Sequence, residues 1–323
     1  MPEKRRVTAS APGSLMLAGE HAVLRGELAL VCAIEKRLSV AIAAASSGMV
    51  RMRSQLGAWT LPAADLPQAV PPGAFRFLAA ALAPHADAFR DGIEVTVESG
   101  MPADWGLGTS AAVAVAATAA AGAYAGEPLP PQEVFRRARE TILRVQGGRG
   151  SGADAAASAL GGIVALRVKP DGTAEAERLP AEGVPEMTLL YAGYKTPTPE
   201  VISWVKARFA RHPALLRAVD RAAGRAAEEA KDAAGNRDWS AFAEALSNGR
   251  RAQKAYGVED RRMRELLEML DNAPGTLAAK ISGSGLGDCV LGLGTAPAAF
   301  PCPALRLAVS QNGVHVSGKI PSG

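Results

Sequence analysis

The sequence predicts an α+β fold in two units, and three observations carry that prediction. An alternating run, Ile93-Glu94-Val95-Thr96-Val97-Glu98, leads through a glycine-rich loop into an alanine-rich run from Ala111 to Ala125, a strand handing over to a buried helix. Composition shifts near Pro180 to Pro185, which divides the chain into expected units at 1–185 and 186–323. Beyond the shift, one strand and four helical runs precede further short apolar strands, the pattern of a small antiparallel sheet with helices on one side.

Taken in order, Val7 to Leu17 reads as strand, turn and strand, and Leu28 to Val40 continues as strand. Between them the polar pair Glu20-His21 sits among small and apolar residues; an ordinary buried ion pair would look the same as a functional pair here. Residues 41 to 75 read as a hairpin and loop with proline turns at Pro67 and Pro71-Pro72, and Phe75 to Leu82 as a short helix. Pro130-Pro131 opens a helix that runs to about Gln146. A second glycine-rich stretch, Gly147 to Gly162, follows, with Asp154 where the next helix begins. A carboxylate there also stabilises a helix start by about 0.3–1 kcal/mol with no further role. Ile163 to Val168 is the next strand. In the second unit, strand Met187 to Tyr194 and the turn Lys195-Thr196-Pro197-Thr198-Pro199 precede helical runs at 199–210, 213–233, 238–256 and 259–271. Strand Thr276 to Ile281 opens into Ser282-Gly283-Ser284-Gly285-Leu286-Gly287-Asp288-Cys289 and returns as Val290 to Leu293; Leu305–Val309 and Val314–Ser317 are expected to complete the small sheet.

Composition narrows the function. A net charge of +4 over 323 residues, with 5 % aromatics and no basic block interleaved with them, does not suit a nucleic-acid binder. It does suit an anionic small molecule. The cysteines Cys32, Cys289 and Cys302 have neither disulfide nor zinc spacing, which points to a reducing, cytoplasmic compartment. No apolar stretch has the length of a membrane span or a secretory leader.

The chemistry concentrates in Trp105-Gly106-Leu107-Gly108-Thr109-Ser110. Glycine lets a ligand approach the backbone without a Cβ in the way. Thr109 and Ser110 fall at a helix start, where unpaired N–H groups and the positive end of the dipole favour phosphate. A plain glycine turn before a capped helix would share this pattern. The loop is not a Walker A motif, which requires Gly-x-x-x-x-Gly-Lys-[Ser/Thr], and the protein-kinase His-Arg-Asp and Asp-Phe-Gly signatures are missing.

Three glycine-rich segments in this order resemble the GHMP kinase superfamily, named for galactokinase, homoserine kinase, mevalonate kinase and phosphomevalonate kinase. The first is Ala11-Pro12-Gly13 through Gly26, the second Gly106 through Ala112, the third Lys280 through Cys289, so the resemblance spans nearly the whole chain. It implies an N-terminal α+β nucleotide-binding domain, a C-terminal ferredoxin-like domain, ATP and Mg²⁺ as cofactors, and direct phosphoryl transfer to a small molecule. Dimers are common in such a family. Gly106, Leu107, Gly108, Thr109 and Ser110 would cradle the nucleotide phosphates, Ser110 would ligate Mg²⁺, and Asp154 would accept or orient the proton of the acceptor hydroxyl. Within the superfamily, Gly19-Glu20-His21-Ala22-Val23 most resembles the mevalonate kinases, which implies that Glu20 and His21 contact the acceptor. Lys195-Thr196-Pro197-Thr198 resembles the substrate-side turn, with Thr198 the favoured contact.

The chain departs from that pattern in two places. Ser14 stands after Ala-Pro-Gly, where these kinases carry a lysine, which leaves Lys195 or Arg149 to supply the charge. Glu140 is the one carboxylate late in the helix before the Asp154 loop, and so the candidate Mg²⁺ ligand, although its spacing from Asp154 is longer than the pattern. The segment Gln146-Gly147-Gly148-Arg149-Gly150-Ser151-Gly152-Ala153-Asp154 looks more like phosphomevalonate kinases, with Arg149 able to hold a phosphate already on the substrate. Phosphomevalonate, a different mevalonate hydroxyl, and ATP-dependent decarboxylation of the diphosphate therefore stand beside mevalonate as readings. A kinase-fold ligand sensor is the non-enzyme alternative.

Overall fold

The computed structural model describes residues 5–102, 104–294 and 299–318. The ends of the expected units, residues 1–4 and 319–323, lie outside the described residues. In chain order the elements are β1 (Arg6–Ala18), β2 (Leu28–Ala44), β3 (Met49–Ser54), β4 (Gly57–Pro62), α1 (Phe75–Leu82), β5 (Ile93–Ser99), α2 (Thr109–Ala125), α3 (Pro131–Val145), α4 (Ala153–Leu160), β6 (Ile163–Val168), β7 (Ala174–Leu179), β8 (Met187–Tyr191), α5 (Thr198–Arg208), α6 (Pro213–Gly235), α7 (Trp239–Tyr256), α8 (Arg261–Asp271), β9 (Thr276–Ser282), β10 (Cys289–Gly294), β11 (Ala304–Leu307) and β12 (His315–Ser317).

Two sheets organise them. The larger has the order β12-β1-β2-β5-β3-β4, with β6 pairing β2 and β7 pairing β6. Strand β2 is long enough to serve two neighbours: Leu28 to Cys32 pair with β6, and Leu38 to Ala44 pair with β5. Strand β1 runs unbroken where strand, turn and strand were expected; the Ala-Pro-Gly segment appears instead as a register shift between Pro12 and Gly13. The smaller sheet is antiparallel, in the order β11-β8-β10-β9.

One expectation is corrected. Val314–Ser317 does not join the small sheet; β12 crosses back and pairs with β1 through Thr8↔Ser317, Ala9↔Val316 and Ser10↔His315. Three exposed residues bury no apolar face, so nothing in their pattern selects a partner.

Helix α2 is the centre of the first unit. Alanine is the best helix former and has the smallest side chain able to pack, so a helix apolar on every side is buried from Ala111 to Tyr124 and lets α1, α3 and α4 approach closely. It ends on Gly126 in the left-handed conformation. In the second unit, α7 and α8 pack on β9, each capped by an aspartate: Asp238 accepts from the Ala241 N–H and Asp260 from the Met263 N–H. The apolar face of α8, Met263, Leu266, Leu267 and Leu270, is buried against the small sheet.

Candidate active site

The two sheets meet where the three glycine-rich segments converge. Gly106 and Gly108 both have φ +67°, which strains any residue with a side chain, and Gly108 is also packed too closely to carry one. A Cβ on Gly108 would lie 2.0 Å from Ser14 Oγ, and one on Gly106 would lie 3.2 Å from Asp288 Cγ. The loop is fastened by the Ser14 N–H, which donates to the Leu107 carbonyl at 3.0 Å. Trp105, just before it, stacks on Tyr191 of β8 with ring centroids 5.3 Å apart. Gly108 then caps α2, so the free N–H groups of the first helical turn face the loop's concave side.

Beneath the loop, Ser14 Oγ donates to Asp154 Oδ1 at 2.8 Å. Asp154 lies in the first turn of α4, and that turn is held from three directions. Arg139 of α3 donates Nε to the Ser151 carbonyl at 2.8 Å, and its Nη1 reaches the Gly172 carbonyl at 2.9 Å. A Cβ on Gly152 would lie 2.6 Å from the Arg139 side chain, which fixes how closely the loop wraps it. Ser158 Oγ donates to the Pro12 carbonyl at 2.8 Å and ties α4 to β1. Burial pushes the Asp154 carboxyl above its ordinary range; the Ser14 hydrogen bond and the charge of Lys195 work against that shift.

Glu20 and His21 sit at the junction with the second unit. His21 is the centre of a γ-turn, φ 61° and ψ −46°, closed by the Ala22 N–H donating to the Glu20 carbonyl at 2.6 Å. Such a turn is strained for a residue with a Cβ, and strain of this kind gathers at functional positions. Its Nε2 is 2.8 Å from the Ser284 carbonyl, and its ring rests on Tyr256, centroids 5.2 Å apart. Burial lowers the His21 pKa, so the ring is neutral at pH 7. Tyr256 OH donates to Asp220 Oδ1, and Arg25 forks onto both oxygens of the same carboxylate, all at 2.5 Å. Glu20 is paired with Lys280 of β9, both side chains buried, and the ammonium also donates to the Met16 and Ile281 carbonyls. The Glu20 carboxylate thus serves a contact between the units.

The remaining predicted residues are placed as follows. Lys195 Nζ is 3.0 Å from Asp288 Oδ1, an ion pair without the alignment of a hydrogen bond. Thr198 is exposed as the first residue of α5; Thr196 is the threonine that reaches the third glycine loop, donating to the Leu286 carbonyl at 2.5 Å. Arg149 is exposed and makes no ion pair among the described residues. Glu140 faces outward, its side chain 56 % exposed and its carboxylate accepting from Arg136, which does not suit the metal ligand expected of it. Ser110 is exposed at the start of α2, while the Thr109 hydroxyl beside it is buried without a partner. Ser284 Oγ on the third loop is likewise buried and unpartnered. Among the described residues no three His, Cys, Asp or Glu side chains cluster as a metal site. Next to Thr109 lies an apolar cavity of about 80 Å³ lined by Leu38, Leu56, Phe75, Leu78, Val97 and Val113.

Sequence reasoning missed Arg139, Lys280 and Asp288. Arg139 shows as a basic residue on an amphipathic helix, and Lys280 as a lone charge in an apolar strand; the latter is the stronger signal.

A backbone-lined anion pocket at a helix start, with a half-buried carboxylate beneath it, defines a phosphoryl-transfer site of the small-molecule kinase class. The GHMP kinases N terminal domain matches residues 73–162, and the GHMP kinases C terminal region matches residues 227–300. The mevalonate kinase of Aeropyrum pernix is 31 % identical over 303 residues, covering 90 % of this chain and 89 % of that protein. The chain belongs to the GHMP kinase family. Among solved structures, Leishmania major mevalonate kinase in complex with R-mevalonate superposes with a TM-score of 0.75 at 18 % identity, over 97 % of each chain. Streptococcus pneumoniae phosphomevalonate kinase, in complex with phosphomevalonate and AMPPNP, superposes with a TM-score of 0.73 at 17 % identity, over 88 % of this chain and 91 % of that one. At these identities the structural likeness speaks for the fold. No helix among the described residues is long and apolar enough to cross a membrane.

Proposed function

We propose that this chain transfers the γ-phosphoryl group of ATP to mevalonate, giving ADP and 5-phosphomevalonate. The observation that carries the reading is the placement of Asp154, half-buried and hydrogen-bonded by Ser14 directly beneath the glycine loop. The names of the curated relatives favour mevalonate over other acceptors.

The N–H groups of residues 106–110 receive the phosphates. Ser110 presents a hydroxyl that would suit a Mg²⁺ ion; Glu140, committed to Arg136, does not. When bound, that ion neutralises phosphate charge. Asp154 orients the acceptor hydroxyl and takes its proton as the oxygen bonds to the γ-phosphorus and the bond to the β–γ bridging oxygen breaks. Positioning supplies most of the acceleration in such a reaction, and general-base help about 10²–10⁴. His21, neutral and held by Tyr256 and the Ser284 carbonyl, offers Nδ1 to an acceptor hydroxyl. We assign 1–185 and 186–323 as the two domains, with β12 returning to the first.

Coupled ADP release with MgATP and, separately, mevalonate, 5-phosphomevalonate and mevalonate diphosphate tests this, with phosphorus NMR of each product. Turnover on mevalonate to the 5-phosphate, abolished by Asp154→Asn, is the expected result. Turnover on 5-phosphomevalonate alone would replace it with the phosphomevalonate kinase reading and return Arg149 to the substrate site. Silence on all three would favour a sensor.

A further inference from the structure

Two carboxylates bracket the glycine loop, and they differ in what holds them. On the Gly108 side, Asp154 is held by the neutral Ser14 hydroxyl. On the Gly106 side, Asp288 is held by a cation, Lys195. Resting on Asp154 as the proton acceptor, we propose that Lys195, brought from the second unit and held by Asp288, supplies the positive charge that the Asp154 site otherwise lacks. Asp288 is then a positioning residue for that lysine.

The backbone on both sides of Lys195 is fastened to the third glycine loop. The Asp288 N–H donates to the Tyr194 carbonyl at 2.9 Å, and Thr196 Oγ1 donates to the Leu286 carbonyl at 2.5 Å. Gly287 is pressed on the same tyrosine, where a Cβ would meet the Tyr194 carbonyl and ring at 3.0 Å. Asp288 takes a left-handed φ of 63° and is 5 % exposed, so its carboxylate has little freedom. Lys195, by contrast, keeps 40 % of its side chain exposed.

Charge accounting favours the same assignment. Asp288 alone, packed on Gly106, would repel a triphosphate arriving at the loop; Lys195 cancels that charge. Of the other candidate cations, Lys280 is buried with Glu20, and Arg149 is exposed and makes no ion pair among the described residues, so neither holds Asp288. The charge of Lys195 already lowers the Asp154 carboxyl against its burial, and Asp288 is acted on by Lys195 and by Asp104. In the transfer, the acceptor oxygen bonds to the γ-phosphorus, the electron pair of the broken bond leaves on ADP, and the hydroxyl proton passes to Asp154 and then to solvent. Lys195 stays protonated throughout and stabilises the developing charge.

The test uses the full chain as wild type, Lys195→Gln, Lys195→Arg and Asp288→Asn. Two readouts are taken: kcat and KM with MgATP and mevalonate, and the titration of the Asp154 carboxyl by carbon-13 NMR, assigned with Asp154→Asn. Lys195→Gln is expected to lower kcat about 10²-fold and to raise the Asp154 midpoint by about one unit, with KM for ATP raised as well because the Asp288 charge is then uncancelled. Lys195→Arg should recover most of both, and Asp288→Asn should move both in the direction of Lys195→Gln by less. An unmoved Asp154 midpoint with kcat within about threefold in Lys195→Gln overturns the inference while wild-type turnover keeps the functional reading. A moved midpoint in a wild type inert toward mevalonate does the reverse.

Discussion

Ser14 Oγ and Asp154 Oδ1 meet at 2.8 Å across 140 positions of sequence, and the glycine loop closes over them from above. The hydroxyl satisfies one lone pair of a half-buried carboxylate and stabilises its charged form.

Ser14→Ala should therefore weaken catalysis without dismantling the site. A hydrogen bond to a charged group is worth about 1.5–3 kcal/mol. The expected fall in kcat is about tenfold or more, and the acid limb of the pH–rate profile should move to higher pH, because the donor that favoured the carboxylate is gone. Steady-state kinetics between pH 5 and 9 checks both.

Asp154→Asn should raise stability while it removes activity. Burial lifts the Asp154 carboxyl above its ordinary value of 3.8, so ionisation costs the folded state. Stability from this group is whole below that value and is lost as pH rises through the folded midpoint. The amide has no such midpoint. The gain in Tm over wild type is expected at pH 7 and should vanish near pH 4, while kcat falls about 10²–10⁴-fold. Thermal denaturation at the two pH values decides it.

Gly108→Ala places a methyl 2.0 Å from Ser14 Oγ on a backbone with φ +67°. The loop must move, and Ser14 with it. ATP affinity and turnover should both fall by more than about tenfold, with the far-ultraviolet circular dichroism unchanged. A nucleotide titration against wild type measures the loss.

Breaking Glu20–Lys280 from one side strands a buried charge. Lys280 is 1 % and Glu20 6 % exposed in their side chains, and removing one partner of such a pair costs about 3–5 kcal/mol. Glu20→Gln should cost this in urea denaturation, whereas Glu20→Gln with Lys280→Met should recover much of it. A single variant as stable as wild type would contradict the pairing.

Much of the architecture was legible because local chemistry decides it. The alternation of 93–98, the alanines after Gly108 and the helical runs of the second unit each carry their own period, and they appear as β5, α2 and α5 to α8. What was not legible depends on distant partners. The Glu20-His21 pair reads as one unit in sequence, yet Glu20 turns to Lys280 and His21 to Ser284 and Tyr256. Glu140 falls at the right end of its helix, but the same face holds Arg136 one turn earlier, and that near neighbour takes the carboxylate. The placement of Asp288 was not legible because its ion pair needs Lys195, 93 positions earlier, and a positive φ that no period encodes.

The return of β12 to β1 has a consequence for biosynthesis. Strand β1 carries Gly13 and Ser14, and its outer edge is closed by residues 315–317. While the ribosome is still making the second unit, that edge offers unpaired N–H and C=O groups, a template for any stray strand. The nascent first unit is thus at its most aggregation-prone with its glycine loop and Asp154 already synthesised, and it gains its edge partner only once residues 315–317 have emerged.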